Sequence, residues 1–241
     1  MKSTILLFSI ASAAVTSAGT FAISTTAPDA NVLESFNTLD YTNTTAVLGT
    51  MGPARKQLGT VNGDNRMAGQ RLTLSQSTNV QASSITFRVA SSKSFSGGGD
   101  VNTLLLSIVD ASHAQIASYS YDLSSTDFVK GDYVKLDLNN VELASTTTGV
   151  EYEFQLYFGE TDTENALALE RDNGGNSYAD GALISMASTT DVLSLPIASP
   201  SGGNSDLTFF LEGNVIPEPA TLGLISAFGG GVFLIRRWFS I

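Results

Sequence analysis

The chain has no cysteine, a single histidine (His113) and a single tryptophan (Trp238) among 241 residues. Without cysteine there is no thiol nucleophile, no thiolate-bound zinc and no iron–sulfur cluster. A lone histidine cannot build a multi-histidine metal site, and any Ser-His-Asp arrangement would have to pass through His113. Basic residues are also scarce: 12 Lys and Arg stand against 23 Asp and Glu, for a net charge of −11. Lys2, Arg236 and Arg237 lie at the two ends, so the middle of the chain is the acidic part. An acidic body repels phosphate backbones, and nucleic acid is not expected as a partner. There is no Gly-x-Ser-x-Gly elbow, and Gly97-Gly98-Gly99 lacks the Lys-Ser/Thr pair that a phosphate-binding loop needs.

The two ends differ from the middle. Lys2, an apolar stretch from Ile5 to Val15 and the small residues after it have the layout of a secretory signal peptide, assigned to residues 1–22. Cleavage is expected after Ala22, with Thr20 at −3; Ala18, with Thr16 at −3, is the other choice. At the far end, residues 220–235 carry no charge, and only Thr221 and Ser226 are polar. With its flanking residues this run is long enough for one transmembrane helix. Glycines such as Gly229-Gly230-Gly231 are tolerated in such helices. Arg236 and Arg237 follow it and set the orientation, since positive residues stay cytoplasmic. Pro217-Glu218-Pro219 precedes it; two prolines block helix and strand pairing, so an extended, accessible segment is expected.

Pro217-Glu218-Pro219, the apolar span, Arg236-Arg237 and a short tail together resemble the PEP-CTERM sorting signal of exported proteins in Gram-negative bacteria. The resemblance covers residues 215–241. It implies an exosortase, a membrane transpeptidase, that recognises Pro217, Glu218 and Pro219 and cleaves nearby. It further implies export across the inner membrane, transient anchoring there, and a final place at the cell surface or outside, in a setting of exopolysaccharide and biofilm.

Residues 23–214 read as one β domain. Glu151–Phe158 alternates, with Tyr152, Phe154, Leu156 and Phe158 on one face and Glu151, Glu153, Gln155 and Tyr157 on the other, read as solvated. Ile85, Phe87 and Val89 share a face, as do Val134, Leu136 and Leu138. Thr103–Val109 is a near-continuous apolar run suited to a central strand. Turn clusters separate these runs, such as Asn62-Gly63-Asp64-Asn65, Lys130-Gly131-Asp132 and Asp172-Asn173-Gly174-Gly175-Asn176. The expected fold is all-β, an antiparallel two-sheet sandwich of jelly-roll type. Gly69-Gln70, the aromatic strand 151–158 and Tyr178-Ala179-Asp180-Gly181 resemble a broad group of extracellular jelly-roll domains, some of which bind carbohydrate.

No constellation points to catalysis. Glu151 and Glu153 sit at i, i+2 on one strand, whereas glycosidase carboxylates flank the scissile bond from different elements. Asp64, Asp172 and Asn173 are candidate oxygen ligands for one structural calcium, although neither turn fits the calcium-loop pattern with its closing Glu. Tyr119, Tyr121 and Tyr157 are candidate platforms for stacking on sugar rings. The expected role is structural or adhesive, without enzymatic activity, and exopolysaccharide is the expected partner beside the exosortase. The alternative is a lectin-like carbohydrate-binding module; a polysaccharide hydrolase ranks behind both.

Overall fold

A computed structural model describes residues 16–37, 55–57, 59–61, 64–95, 103–145, 149–158, 167–172, 178–188, 196, 201–202 and 205–216. Outside them lie most of the expected leader, Asn173, the Pro217-Glu218-Pro219 motif, the apolar run and Arg236-Arg237. The described residues form strands and no helix. In chain order the strands are β1 (Ser17–Ala18), β2 (Phe21–Ser24), β3 (Val32–Phe36), β4 (Arg55–Gln57), β5 (Gly59–Val61) and β6 (Asp64–Leu74). Next come β7 (Val80–Arg88), β8 (Lys93–Ser94), β9 (Thr103–Asp110), β10 (Gln115–Asp122), β11 (Asp127–Phe128) and β12 (Tyr133–Leu143). The last are β13 (Val150–Phe158), β14 (Ala168–Glu170), β15 (Gly181–Ser188), β16 (Ser201–Gly202) and β17 (Phe209–Val215).

Two main sheets result. The first runs β1-β10-β9-β13-β6-β15-β16, with β5 also on β6; the second runs β2-β12-β7-β17-β3. Every pairing is antiparallel except β1 on β10. The inner faces build one apolar core. Tyr152, Phe154, Leu156 and Phe158 of the first sheet join Ile85, Phe87, Leu136, Phe209 and Leu211 of the second. Period-two alternation therefore selects the core face as expected, because each inward residue buries apolar area between two sheets.

The other face of β13 departs from the expectation. Glu153, Gln155 and Tyr157 are at most 1% exposed rather than solvated. β13 lies between β9 and β6 in the interior of the larger sheet. Arg71 reaches across from β6 and donates to Glu153 Oε1 at 3.1 and 2.5 Å. His113, from the β9–β10 turn, brings Nδ1 to 3.5 Å from Glu153 Oε2. It is half-buried against that strand.

A bulge in β12 has a specific consequence. Between Asp137 and Val141 the register against β7 shifts, and Asn139 and Asn140 take positive φ values of 50° and 57°. Asparagine tolerates that conformation because its short amide bonds locally, and Asn139 N–H donates to Asp137 Oδ1 at 2.8 Å. The bulge turns two backbone carbonyls out of the ladder. Tyr119 donates to the Leu138 carbonyl at 2.7 Å, and Tyr121 to the Asp137 carbonyl at 2.8 Å. Two tyrosines of the first sheet thus satisfy acceptors freed in the second.

The N-terminal segment joins both sheets. β1 lies on β10 and β2 on β12, so the chain crosses from one sheet edge to the other at Gly19-Thr20. β2 runs through the position after Ala22 at which the leader was expected to end.

Candidate functional site

Among the described residues, the outer face of the second sheet carries a surface site built of paired charges and aromatic rings. Register places Ser24, Tyr133 and Arg88 in one row, Ala22, Lys135, Thr86 and Phe210 in the next, and Asp137, Ser84 and Glu212 in a third. Lys135 crosses the rows, and its Nζ donates to Glu212 Oε1 at 2.9 Å. Ser84 Oγ donates to Glu212 Oε2 at 2.9 Å, so the carboxylate is held at both oxygens. Arg88 stacks over the Tyr133 ring at 5.6 Å, and Phe210 meets the same ring edge-on at 5.9 Å. The aromatic floor is therefore fixed by its neighbours.

Lys135 separates two hollows. One, of about 240 Å³, is lined by Ser24, Asp29, Thr86, Tyr133 and Glu212 among others. The second, of about 320 Å³, is lined by Thr20, Phe21, Ser83 and Asp137 among others. Each far exceeds the roughly 30 Å³ that one water occupies. Each also lies at or below the lower end of the ~300–1,000 Å³ range of small-molecule pockets. Hydroxyls, carboxylates and one ammonium line them together. That mixture of donors and acceptors suits a small, polar, polyhydroxylated ligand.

The sugar-stacking expectation is corrected for all three tyrosines. Tyr119, Tyr121 and Tyr157 are 4%, 0% and 1% exposed. The hydroxyls of the first two are taken up by the β12 bulge, and Tyr157 is buried on the central strand β13. None presents a ring face to solvent.

Asp172 lies in a buried polar cluster at the junction of β14 and β17. Its Oδ1 accepts from Asp206 N–H at 2.8 Å, and its own N–H donates to the Asp206 carbonyl at 2.9 Å. Asp206 accepts from Gln70 Nε2 at 3.1 Å and from Tyr178 N–H at 3.1 Å. Gln70 Oε1 in turn accepts from Leu207 N–H at 2.8 Å. The carboxylate oxygens of this cluster meet N–H donors, which is the chemistry of a structural polar plug. Among the described residues no group of three or more His, Asp and Glu is placed to hold a metal ion. Asp64 begins β6, opposite Val61 across Asn62-Gly63, and its side chain lies outside the described residues, as does Asn173.

Burial pushes the Asp206 carboxyl up to about 6, and neighbouring Asp172 adds to the rise, against opposing bonds from Gln70 and Tyr178. A folded value above the ordinary 3.8 means the native state holds this proton more tightly than the unfolded chain. The stabilisation is full below about pH 4 and is lost as pH rises through about 6. Two units correspond to about 3 kcal/mol. The melting temperature is expected to rise as pH falls from 8 to 5. Asp206→Asn, which cannot ionise, is expected to remove most of that slope; an unchanged slope would exclude Asp206 as its source.

The sequence did not single out Lys135 or Glu212. The signal for Lys135 was present, since Tyr133, Lys135 and Asp137 alternate with the inward Val134, Leu136 and Leu138. Glu212 could be joined to it only through the pairing of β17 with β7. No protein-family model matches the chain, and comparison with curated proteins finds no match.

Proposed function

We propose that this is an exported, non-enzymatic sandwich protein, sorted by an exosortase and used structurally or adhesively in an exopolysaccharide matrix. The observation that carries the reading is the junction at the end of the fold. β17, an interior strand of the second sheet, ends at Val215, and Ile216 N–H bonds to the Asn79 carbonyl at 2.8 Å. Pro217-Glu218-Pro219 follows at once. A cut there would release the whole sandwich and leave every described strand behind it intact. The jelly-roll assignment belongs to the same reading. It is supported by chain connections that cross between the two sheets, from β6 to β7, from β10 to β12 and from β12 to β13.

A second reading, carbohydrate binding, is favoured by the paired hollows beside Lys135. One experiment addresses both. Protein recovered from its native cells is expected to have a mass ending near Pro217–Pro219. A variant with Pro217 and Pro219 changed to Ala is expected to keep Trp238 and Ile241. Retention of Ile241 in the unaltered protein would overturn the sorting reading. Recovered protein is then titrated with the exopolysaccharide of the same cells. Loss of binding in Lys135→Ala would place the glycan in the hollows, and unchanged binding would remove that second reading.

A further inference from the structure

We infer that Gly19–Ser24 belongs to the folded body, and that leader processing cuts the Ala18–Gly19 bond rather than the bond after Ala22. This rests on the export part of the proposed function. Both positions offer a small residue at −1 and a threonine at −3, so local sequence does not separate them. The fold does.

Four consecutive pairs tie β2 to β12: Phe21 with Leu136, Ala22 with Lys135, Ile23 with Val134 and Ser24 with Tyr133. Asp137 N–H donates to the Thr20 carbonyl at 2.9 Å, and Thr20 Oγ1 donates to Asp137 Oδ2 at 3.2 Å. Gly19 N–H donates to the Ser120 carbonyl at 2.8 Å. Gly19 lies so close to Tyr121 that a Cβ there would fall 2.3 Å from Cε1 of the ring. Phe21 packs on Phe128 with centroids 6.4 Å apart. Only glycine fits beside Tyr121, so the crossing segment and the core tyrosine are matched in shape.

A cut after Ala22 would remove Gly19 to Ala22. It would open the edge of β12, strip the cover from Tyr121, and delete the Thr20, Phe21 and Ala22 lining of the larger hollow. An open, partly apolar edge invites pairing with other chains. Among the described residues, a cut after Ala18 removes β1, two exposed residues in a single parallel pairing, and the exposed Thr16, whose hydroxyl meets that of Ser118 at 3.4 Å. In that hydrolysis water adds to the Ala18 carbonyl, the Ala18–Gly19 bond breaks, and Gly19 leaves as an amine that takes up a proton. The resulting ammonium keeps the bond to the Ser120 carbonyl, now charge-assisted.

The test is N-terminal sequencing of the full chain expressed in a Gram-negative host, with Ala18→Leu and Ala22→Leu variants. The unaltered protein is expected to begin at Gly19. Ala18→Leu is expected to abolish that terminus, whereas Ala22→Leu, on an exposed strand position, leaves it in place. A start at any residue after Met1 other than Gly19, Ile23 included, would overturn the assignment while keeping export. A start at Met1 would overturn the export reading itself.

Discussion

Tyr121→Ala is expected to destabilise the protein by about 3–5 kcal/mol, lowering the melting temperature by roughly 6–20 °C. Tyr121 is among the largest fully buried side chains, and burial drives its hydroxyl pKa well above the usual phenol range. Three structures converge on the ring. Gly19 crosses over it, Tyr119 stacks beside it at 6.3 Å, and the Asp137 carbonyl accepts from its hydroxyl. Truncation leaves a cavity between the sheets and an unpaired carbonyl at the β12 bulge. Tyr121→Phe separates the two effects. It keeps the ring and is expected to cost about 1 kcal/mol, the net worth of one part-buried hydrogen bond. Thermal melts of both variants check this. A loss below about 2 °C for Tyr121→Ala would mean that the N-terminal crossing does not pack on this ring, since one kcal/mol already shifts a domain this size by that much.

The second large effect is expected at Arg88 and Glu170. Their side chains approach to 2.5 Å and are both largely buried, Glu170 almost completely. Removing either partner alone leaves a buried charge without its principal counter-charge, at a cost of about 3–5 kcal/mol. Arg88→Ala also removes the guanidinium from the face of Tyr133, so it is expected to be the worse of the two. Replacing both residues with Met and Leu removes charge and counter-charge together. The double variant is expected to be more stable than either single one. Denaturant melts of the unaltered protein, Arg88→Met, Glu170→Leu and the variant carrying both form a double-mutant cycle. Simple addition of the two single losses would show that the pair is not coupled. The location explains the size of the effect: Glu170 ends β14, and its carbonyl accepts from Thr208 N–H at 3.0 Å just before β17 begins. The ion pair thus fastens a short, buried strand to the end of β7, the central strand of the second sheet.

These residues also show where reading the sequence stops. Alternation along Glu151–Phe158 identifies the core face of β13, because the period of a strand is a local property of its backbone. It cannot tell that β13 has neighbours on both edges, so Glu153 looks solvated although Arg71 and His113 close over it. Tyr119 and Tyr121 are correctly placed on one face. Their burial depends on a bulge in β12 and a glycine far upstream, which no local pattern contains. The rows that bring Lys135 to Glu212 depend on register between strands distant in the chain. For the two ends, composition and order of residues define the apolar runs, the flanking charges and the Pro-Glu-Pro motif, because hydropathy and backbone restriction are properties of consecutive residues. The all-β character of the body was determined in the same local way. Tertiary structure alone decided which strands neighbour one another, which polar groups are buried, and that Gly19–Ser24 is hydrogen-bonded to both sheets. Each of these depends on pairing between residues far apart in sequence, where the energy belongs to the partner as much as to the residue itself.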